Sequence, residues 1–178
     1  GPAGTGKELV ARQIHKQSLR INKPFVVVNG ALLDPQKYEL ELFGSENTNE
    51  TINYGFFEKA KDGTLLIDEV SEIPLETQAK ILRVLIDQKF RRLNGLKEVN
   101  VNVRIISTSS QNIREEVDKG NFREDLYHRL NVVPIDIPAL RDRTEDIPYL
   151  LNYFSKKIAE ANGINETKLD TDLDLFYK

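Results

Sequence analysis

The sequence predicts an α/β domain built on a parallel sheet, followed by the start of a helical segment. Three observations carry this expectation. Short apolar runs recur at 25–28, 64–67, 103–106 and 132–137, and continuous rather than alternating runs suit strands covered on both faces. Helical spacing separates most of them, so strands alternate with helices. A glycine-rich loop, Gly1-Pro-Ala-Gly-Thr-Gly6, stands directly before the first helix.

Each element follows from its own residues. The first helix reads over 7–20, with Val10, Ala11 and Ile14 on one side. Pro24 resets the chain before the first run. The stretch 45–54, rich in Asn, Thr and Glu, has no core-forming pattern and reads as a loop. Pro74 suits the first turn of a helix on which Leu75, Ala79, Leu82 and Ile86 repeat at helical spacing. Asn94-Gly95 is a hairpin turn signal between 90–93 and 99–103. Thr144 precedes a helix with Ile147, Leu150, Leu151, Phe154 and Ile158 on one face, closed by Gly163. Beyond Pro138 the pattern is purely helical. The expected organisation is an α/β core over 1–138 and the start of a helical lid over 139–178.

The bulk numbers exclude several classes. At 178 residues, with 39% hydrophobic and 30% charged, the chain can bury a core and is too apolar to be disordered. A net charge of −3 leaves no basic footprint for nucleic acid or acidic membranes. No apolar run approaches a membrane span and no signal peptide opens the sequence, which points to the cytoplasm. Without cysteine and with two His, neither a disulfide framework nor a zinc site is expected.

The chemistry-bearing motif is the opening loop. The phosphate-cradling pattern is G-x-x-x-x-G-K-[ST], and this chain has Gly1, Pro2, Ala3, Gly4, Thr5, Gly6 and Lys7, then Glu8 in the hydroxyl position. Glycines let successive N–H groups converge on phosphate oxygens, and the helix N-terminus adds positive potential. Lys7 would place a charge at the outer phosphates. Read alone, the same residues make a glycine-rich turn before an ordinary helix. Asp68 ends the run 64–67 as a magnesium-holding acid would. Glu69 beside it can polarise a water as a general base. Together, loop and acid pair indicate a site for ATP and Mg2+.

From these residues onward the sequence resembles the AAA+ domain of sigma-54-dependent activators, the NtrC family. Gly1 to Glu8 resembles G-E-S-G-T-G-K-E, in which Glu8 is the family's usual residue. Pro24-Phe-Val-Val-Val-Asn29 resembles P-F-x-x-x-N, and Glu41-Leu-Phe-Gly44 resembles E-L-F-G. Gly63-Thr-Leu-Leu-Ile-Asp-Glu69 resembles G-T-L-F-L-D-E, and Ile81-Leu-Arg-Val-Leu85 resembles L-L-R-V-L. Phe122-Arg-Glu-Asp-Leu-Tyr-His-Arg-Leu-Asn131 resembles F-R-E-D-L-Y-Y-R-L-N, and Leu140-Arg-Asp-Arg-Thr-Glu-Asp-Ile147 resembles L-R-E-R-x-E-D-I.

The resemblance implies a P-loop ATPase acting at subunit interfaces. Arg123 and Arg129 fall where the family places arginine fingers that reach a neighbour's γ-phosphate. Without the resemblance they read as surface arginines in helical ion pairs. Asn29 matches an asparagine that restrains the catalytic glutamate, here Glu69; on its own it reads as a strand-end turn residue.

Departures from the family also matter. Between Gly44 and Gly55 the family carries a longer loop with G-A-F-T-G-A, which contacts sigma-54; the residues here are fewer and lack that motif. Val103-Arg-Ile-Ile-Ser-Thr-Ser-Ser110 aligns with V-R-V-I-A-A-T-N, so the γ-phosphate-sensing asparagine becomes Ser110. Hydrolysis is therefore expected to be weak. The strand that feeds the phosphate loop is expected before Gly1, and the second sensor arginine after Lys178. The missing motif, with 85–90 and 104–107, is most similar to the NtrX branch.

The resulting expectation is a regulatory ATP-binding module of a two-component response regulator for nitrogen or respiratory control. It would form a homo-oligomer, either a hexameric ring or a dimer. DNA would be contacted through a C-terminal domain and a sensor kinase through an upstream receiver domain, with neither sigma-54 nor membrane as partner. The alternatives are a sigma-54-remodelling ATPase with a diverged loop, and an inactive oligomerisation scaffold.

Overall fold

The computed structural model describes residues 1–34, 36–47 and 51–163. Its backbone divides into two compact units, Gly1–Ile137 and Pro138–Lys178. The first is organised around a parallel sheet. β1 (Phe25–Asn29), β4 (Thr64–Asp68) and β7 (Arg104–Ser107) lie in the order β1-β4-β7. β4 is central and its Leu65, Leu66 and Ile67 are fully buried, as a continuous apolar run requires. The register pairs Asn29 with Asp68 and Ile67 with Ser107, so the polar ends of all three strands reach one edge together.

α1 (Lys7–Lys16) follows the glycine loop and packs Ala11 and His15 inward. It ends before the predicted residue 20 because Ser18 Oγ donates to the His15 carbonyl at 2.7 Å, competing with the helical bond. Arg20 is instead a tether: its guanidinium donates to the carbonyls of Gly63 and Asn102, both at 2.7 Å. His15 is buried, with Nδ1 3.0 Å from Thr64 Oγ1.

α2 (Tyr38–Phe43) and α3 (Phe56–Lys59) flank 45–54. That stretch was expected to be a plain loop, but it is closed at its base by β2 (Ser45–Glu46) and β3 (Ile52–Asn53), paired antiparallel. β5 (Lys89–Arg91) and β6 (Glu98–Asn100) form the hairpin expected around Asn94-Gly95, with Asn94 at φ 60.

α4 (Leu75–Asp87) corrects one expectation. The predicted stripe is not the inner face: Leu75 and Ile86 are exposed, while Thr77, Gln78, Ile81, Val84 and Leu85 are buried. Gln78 can be buried at little cost because its amide nitrogen and oxygen are both bonded. Nε2 donates to the Ile73 and Asn121 carbonyls at 2.7 and 3.1 Å, and Oε1 accepts from Arg123 N at 2.9 Å. A satisfied buried amide costs little, whereas an unpaired one costs about 1–3 kcal/mol. α5 (Ile113–Asp118) and α6 (Glu124–Leu130) complete the unit.

The fourth strand expected over 132–137 does not form. Val132, Val133 and Ile135 are 73, 77 and 57% exposed. A cavity of about 1020 Å³ lies between this segment and β7, lined by Ile105 and Ile106 on the sheet side. A strand exists only as a ladder with a neighbour, and among the described residues 132–137 has none.

In the second unit α7 (Ile147–Asn162) ends on Gly163, whose φ of 63 is the left-handed cap that favours glycine. Phe154 and Ile158, from the predicted apolar face, are exposed. No helix among the described residues is long and apolar enough to cross a membrane.

Candidate phosphate-binding site

The glycine loop is built as phosphate chemistry needs. Gly4 and Gly6 hold φ of 77 and 89, a region that residues with a Cβ rarely enter. Gly6 caps α1 without a side-chain bond, so the first amides of the helix face outward, free for an anion. Thr5 is buried and its hydroxyl donates to the Pro2 carbonyl at 2.9 Å, closing the turn.

Lys7 folds back into this loop. Nζ donates to the carbonyls of Gly1 and Pro2 at 3.0 and 3.2 Å and pairs with Glu69 Oε1 at 3.2 Å. Its side chain is 10% exposed. The pairing brings two elements of the sequence motif, 62 residues apart, onto one charge contact. Glu8 points elsewhere: its carboxylate bridges to Arg12, with Arg12 Nη2 at 2.6 Å, on the exposed side of α1.

The two acids are held separately. Asp68 Oδ2 accepts from Asn29 Nδ2 at 2.9 Å, and Oδ1 accepts from the Thr108 hydroxyl. Glu69 takes a left-handed backbone, φ 50 and ψ 56, which turns its side chain off the line of β4. Its Oε2 accepts from Ser110 N and Ser110 Oγ at 2.7 and 2.8 Å. Burial alone would raise the Glu69 carboxyl. The Ser110 amide and hydroxyl, then Lys7, outweigh it and hold the group below its ordinary value.

Asn29 therefore differs from its expected partner. Its observed amide bond is to Asp68, not Glu69, because the parallel register sets Asn29 directly beside Asp68. The hold on Glu69 comes from Ser110 instead. Among the site residues, Thr108 was missed. Its only sequence signal is a hydroxyl at the end of an apolar run, which is too common to single out.

The arginines are placed on α6 and its approach. Arg123 makes a two-point contact with Asp125, at 3.0 and 2.6 Å, and its guanidinium is held above its ordinary value chiefly by those hydrogen bonds. Arg129 Nη2 donates to the Leu85 carbonyl at 3.0 Å, satisfying one of the last carbonyls of α4. Arg129 also lines the cavity that Gly1, Pro2 and Lys7 of the phosphate loop open onto.

The residues present fit a phosphate ligand with a divalent cation. The loop offers amides and one lysine, and Asp68 keeps lone pairs beyond its two hydrogen bonds. No cluster of three or more His, Cys, Asp or Glu among the described residues could hold a metal alone, which suits magnesium held by one carboxylate together with phosphates and waters.

A parallel sheet, a glycine loop opening a helix and an acid pair at the end of the central strand β4 define a P-loop nucleotide-binding α/β domain of the AAA+ type. The sigma-54 interaction domain matches residues 1–136, and the chain belongs to that family. It is 47% identical over 173 residues to the nitrogen assimilation regulatory protein NtrX of Azorhizobium caulinodans, covering 97% of this chain and 38% of the relative. It is 46% identical over 173 residues to the DNA-binding transcriptional regulator NtrC of Escherichia coli K12, covering 95% and 37%. A crystal structure of NtrX from Brucella abortus in complex with ATP superimposes with a TM-score of 0.87 at 53% identity, over 97% of this chain and 40% of that one. The chain thus spans about two-fifths of the length of the proteins it matches.

Proposed function

We propose that this chain is the ATP-binding module of a cytoplasmic two-component response regulator of the NtrX type, in which nucleotide sets how copies assemble. The observation that carries the reading is the Lys7–Glu69 contact across the glycine loop. A half-buried ammonium that rests on two carbonyls and a carboxylate beside the glycine loop supports a role in holding an outer phosphate. The ATP complex of the Brucella NtrX supports the same ligand here.

In this reading the loop amides and Lys7 bind the phosphates. Asp68, held by Asn29 and Thr108, is the carboxylate that would hold magnesium, and bound magnesium supplies charge neutralisation between phosphate oxygens. Glu69 orients and polarises the attacking water once Lys7 has moved to phosphate. Arg129 and Arg123 act from a neighbouring copy, where a fixed guanidinium suits the charge developing on transferred oxygens. The missing motif in 45–54 supports assembly without sigma-54 contact. DNA and the sensor kinase would be engaged by other parts of the protein.

A second reading is a sigma-54-remodelling ATPase, which the match to a sigma-54 interaction domain favours to the extent that it points to sigma-54 as a partner.

Replacing Lys7 with Ala tests the nucleotide reading. In the full-length protein it should weaken ATP binding by at least tenfold, since a charge-assisted hydrogen bond contributes roughly 1.5–3 kcal/mol. Equal affinities for parent and variant by titration would reduce the loop to a structural turn.

A further inference from the structure

Where the resemblance puts Ala and Asn, this chain has Thr108 and Ser110. Both hydroxyls are spent on the acid pair. Ser110 is on Glu69 and Thr108 is on Asp68.

Thr108 makes bonds to four consecutive residues at the end of β4. Its N donates to the Ile67 carbonyl at 3.0 Å, and its carbonyl accepts from Val70 N at 2.9 Å. Between these, Thr108 Oγ1 donates to Asp68 Oδ1 and accepts from Glu69 N at 3.2 Å. A hydroxyl has one donor and two acceptor sites, and here one oxygen serves both acids in opposite senses.

The second of these bonds matters for the backbone. A left-handed conformation at a residue with a side chain persists only when its surroundings over-determine it. Glu69 is in that conformation, and its amide is fixed by the same hydroxyl that orients the neighbouring carboxylate. The adjoining Val70 amide is fixed by the Thr108 carbonyl. The bend that separates Asp68 from Glu69 is therefore set from Thr108, the residue after β7.

We propose that Thr108 is a positioning residue for the nucleotide site: its hydroxyl orients Asp68 toward a divalent cation and locks the turn that aims Glu69. This rests on the reading of Asp68 as the magnesium-holding acid. With Asn29 on the other oxygen, the carboxylate is clamped on both oxygens, from the end of β1 and from the residue after β7. Hydrogen-bonded partners behind a metal ligand typically change metal affinity or activity by about 10–100-fold.

The test is a magnesium titration of nucleotide binding, followed with a fluorescent ATP analogue in the full-length protein. Thr108→Val keeps the β-branched shape and removes the hydroxyl. It should need about tenfold more magnesium to reach the parent's nucleotide affinity. Its affinity without magnesium should stay within about twofold of the parent, because Lys7 and the loop amides are untouched. Thr108→Ser restores the hydroxyl and should restore the magnesium response. If Thr108→Val does not fold, Thr108→Ala carries the same expectations. Asp68→Asn separates the two levels of inference. Loss of the magnesium response in Asp68→Asn with a parental response in Thr108→Val overturns the role of Thr108 alone. A parental response in Asp68→Asn overturns the assignment of Asp68, and the positioning role falls with it.

Discussion

Two regions of the first unit each contain a half-buried cation beside carboxylates, and they are put together differently. At the ends of β1, β4 and β7, Lys7 is held by two backbone carbonyls and one oxygen of Glu69. At the base of 45–54, Arg92 makes a two-point contact with Glu58, both bonds at 2.7 Å, and reaches Glu46 at 3.4 Å. The fork geometry of Arg92 is matched by the carboxylate. Its guanidinium is held above its ordinary value, first by those Glu58 hydrogen bonds. Lys7 is a point charge with rotatable donors, and its partners can be exchanged for phosphate oxygens. The difference is that the proposed role of Lys7 needs partners it can exchange, whereas the Arg92 fork is already matched by a carboxylate of its own chain.

The largest effect should come from breaking the first region between copies. Arg129 caps the Leu85 carbonyl and lines the same cavity as Gly1, Pro2 and Lys7 of its own chain. If it serves a neighbour, Arg129→Ala should bind ATP but lose hydrolysis by about 10³–10⁵, the usual worth of an arginine finger. Mixed with Glu69→Gln protein it should regain activity, because one mixed interface keeps both groups. Parental hydrolysis with only a lowered melting temperature would make Arg129 a helix cap and nothing more.

Much of the first region was legible in the sequence, for a physical reason, whereas the Arg92 staple was not. Gly4, Gly6, Lys7, Asp68 and Glu69 announce themselves because local backbone geometry and a strand end dictate their spacing. The runs at 25–28 and 64–67 became β1 and β4 almost residue for residue. What the sequence hid depends on long-range pairing. The partner of Asn29 follows from strand register, and the buried face of α4 pairs Ile81, Val84 and Leu85 in the core with a Gln78 whose amide bonds three backbone groups outside α4. Residues 132–137 have strand composition, but composition cannot supply a neighbour.

A smaller effect sharpens the staple. Arg92→Ala leaves Glu58 and Glu46 without their cation in a site where each side chain is at most 21% exposed. Hydrogen bonds to charged groups contribute roughly 1.5–3 kcal/mol. The expected fall is a few degrees in melting temperature, about 2–4 °C per kcal/mol for a chain of this size. ATP affinity should not change, because no contact joins Arg92 to the glycine loop. A nucleotide defect in a folded Arg92→Ala protein would mean that the two regions are one coupled unit.

The smallest expected effect is none at all, and it concerns what the stapled segment can reach. The interfaces that hold partners depend on a few aromatic or other large anchors seated in pockets. Between Ser45 and Tyr54 the apolar side chains are Ile52 and Tyr54. Ile52 is in β3, paired with Glu46, and the Tyr54 ring lies 5.7 Å from the Arg92 guanidinium. The base of the segment is fastened to the β5 side as well: Glu46 N donates to the Leu93 carbonyl and Leu93 N to the Gly44 carbonyl, both at 3.0 Å. Residues 48–50 lie outside the described structure; their side chains are Thr, Asn and Glu, which lose hydration without filling a pocket. Each extended residue adds at most about 3.3–3.6 Å of reach, so a shortened and fastened segment projects less far than a longer free loop. Full-length protein, sigma-54 and a metal-fluoride mimic of the ATP transition state, mixed and run on a sizing column, should elute as separate species. A stable complex would show that this region is a second working site rather than a staple, and would restore the remodelling reading.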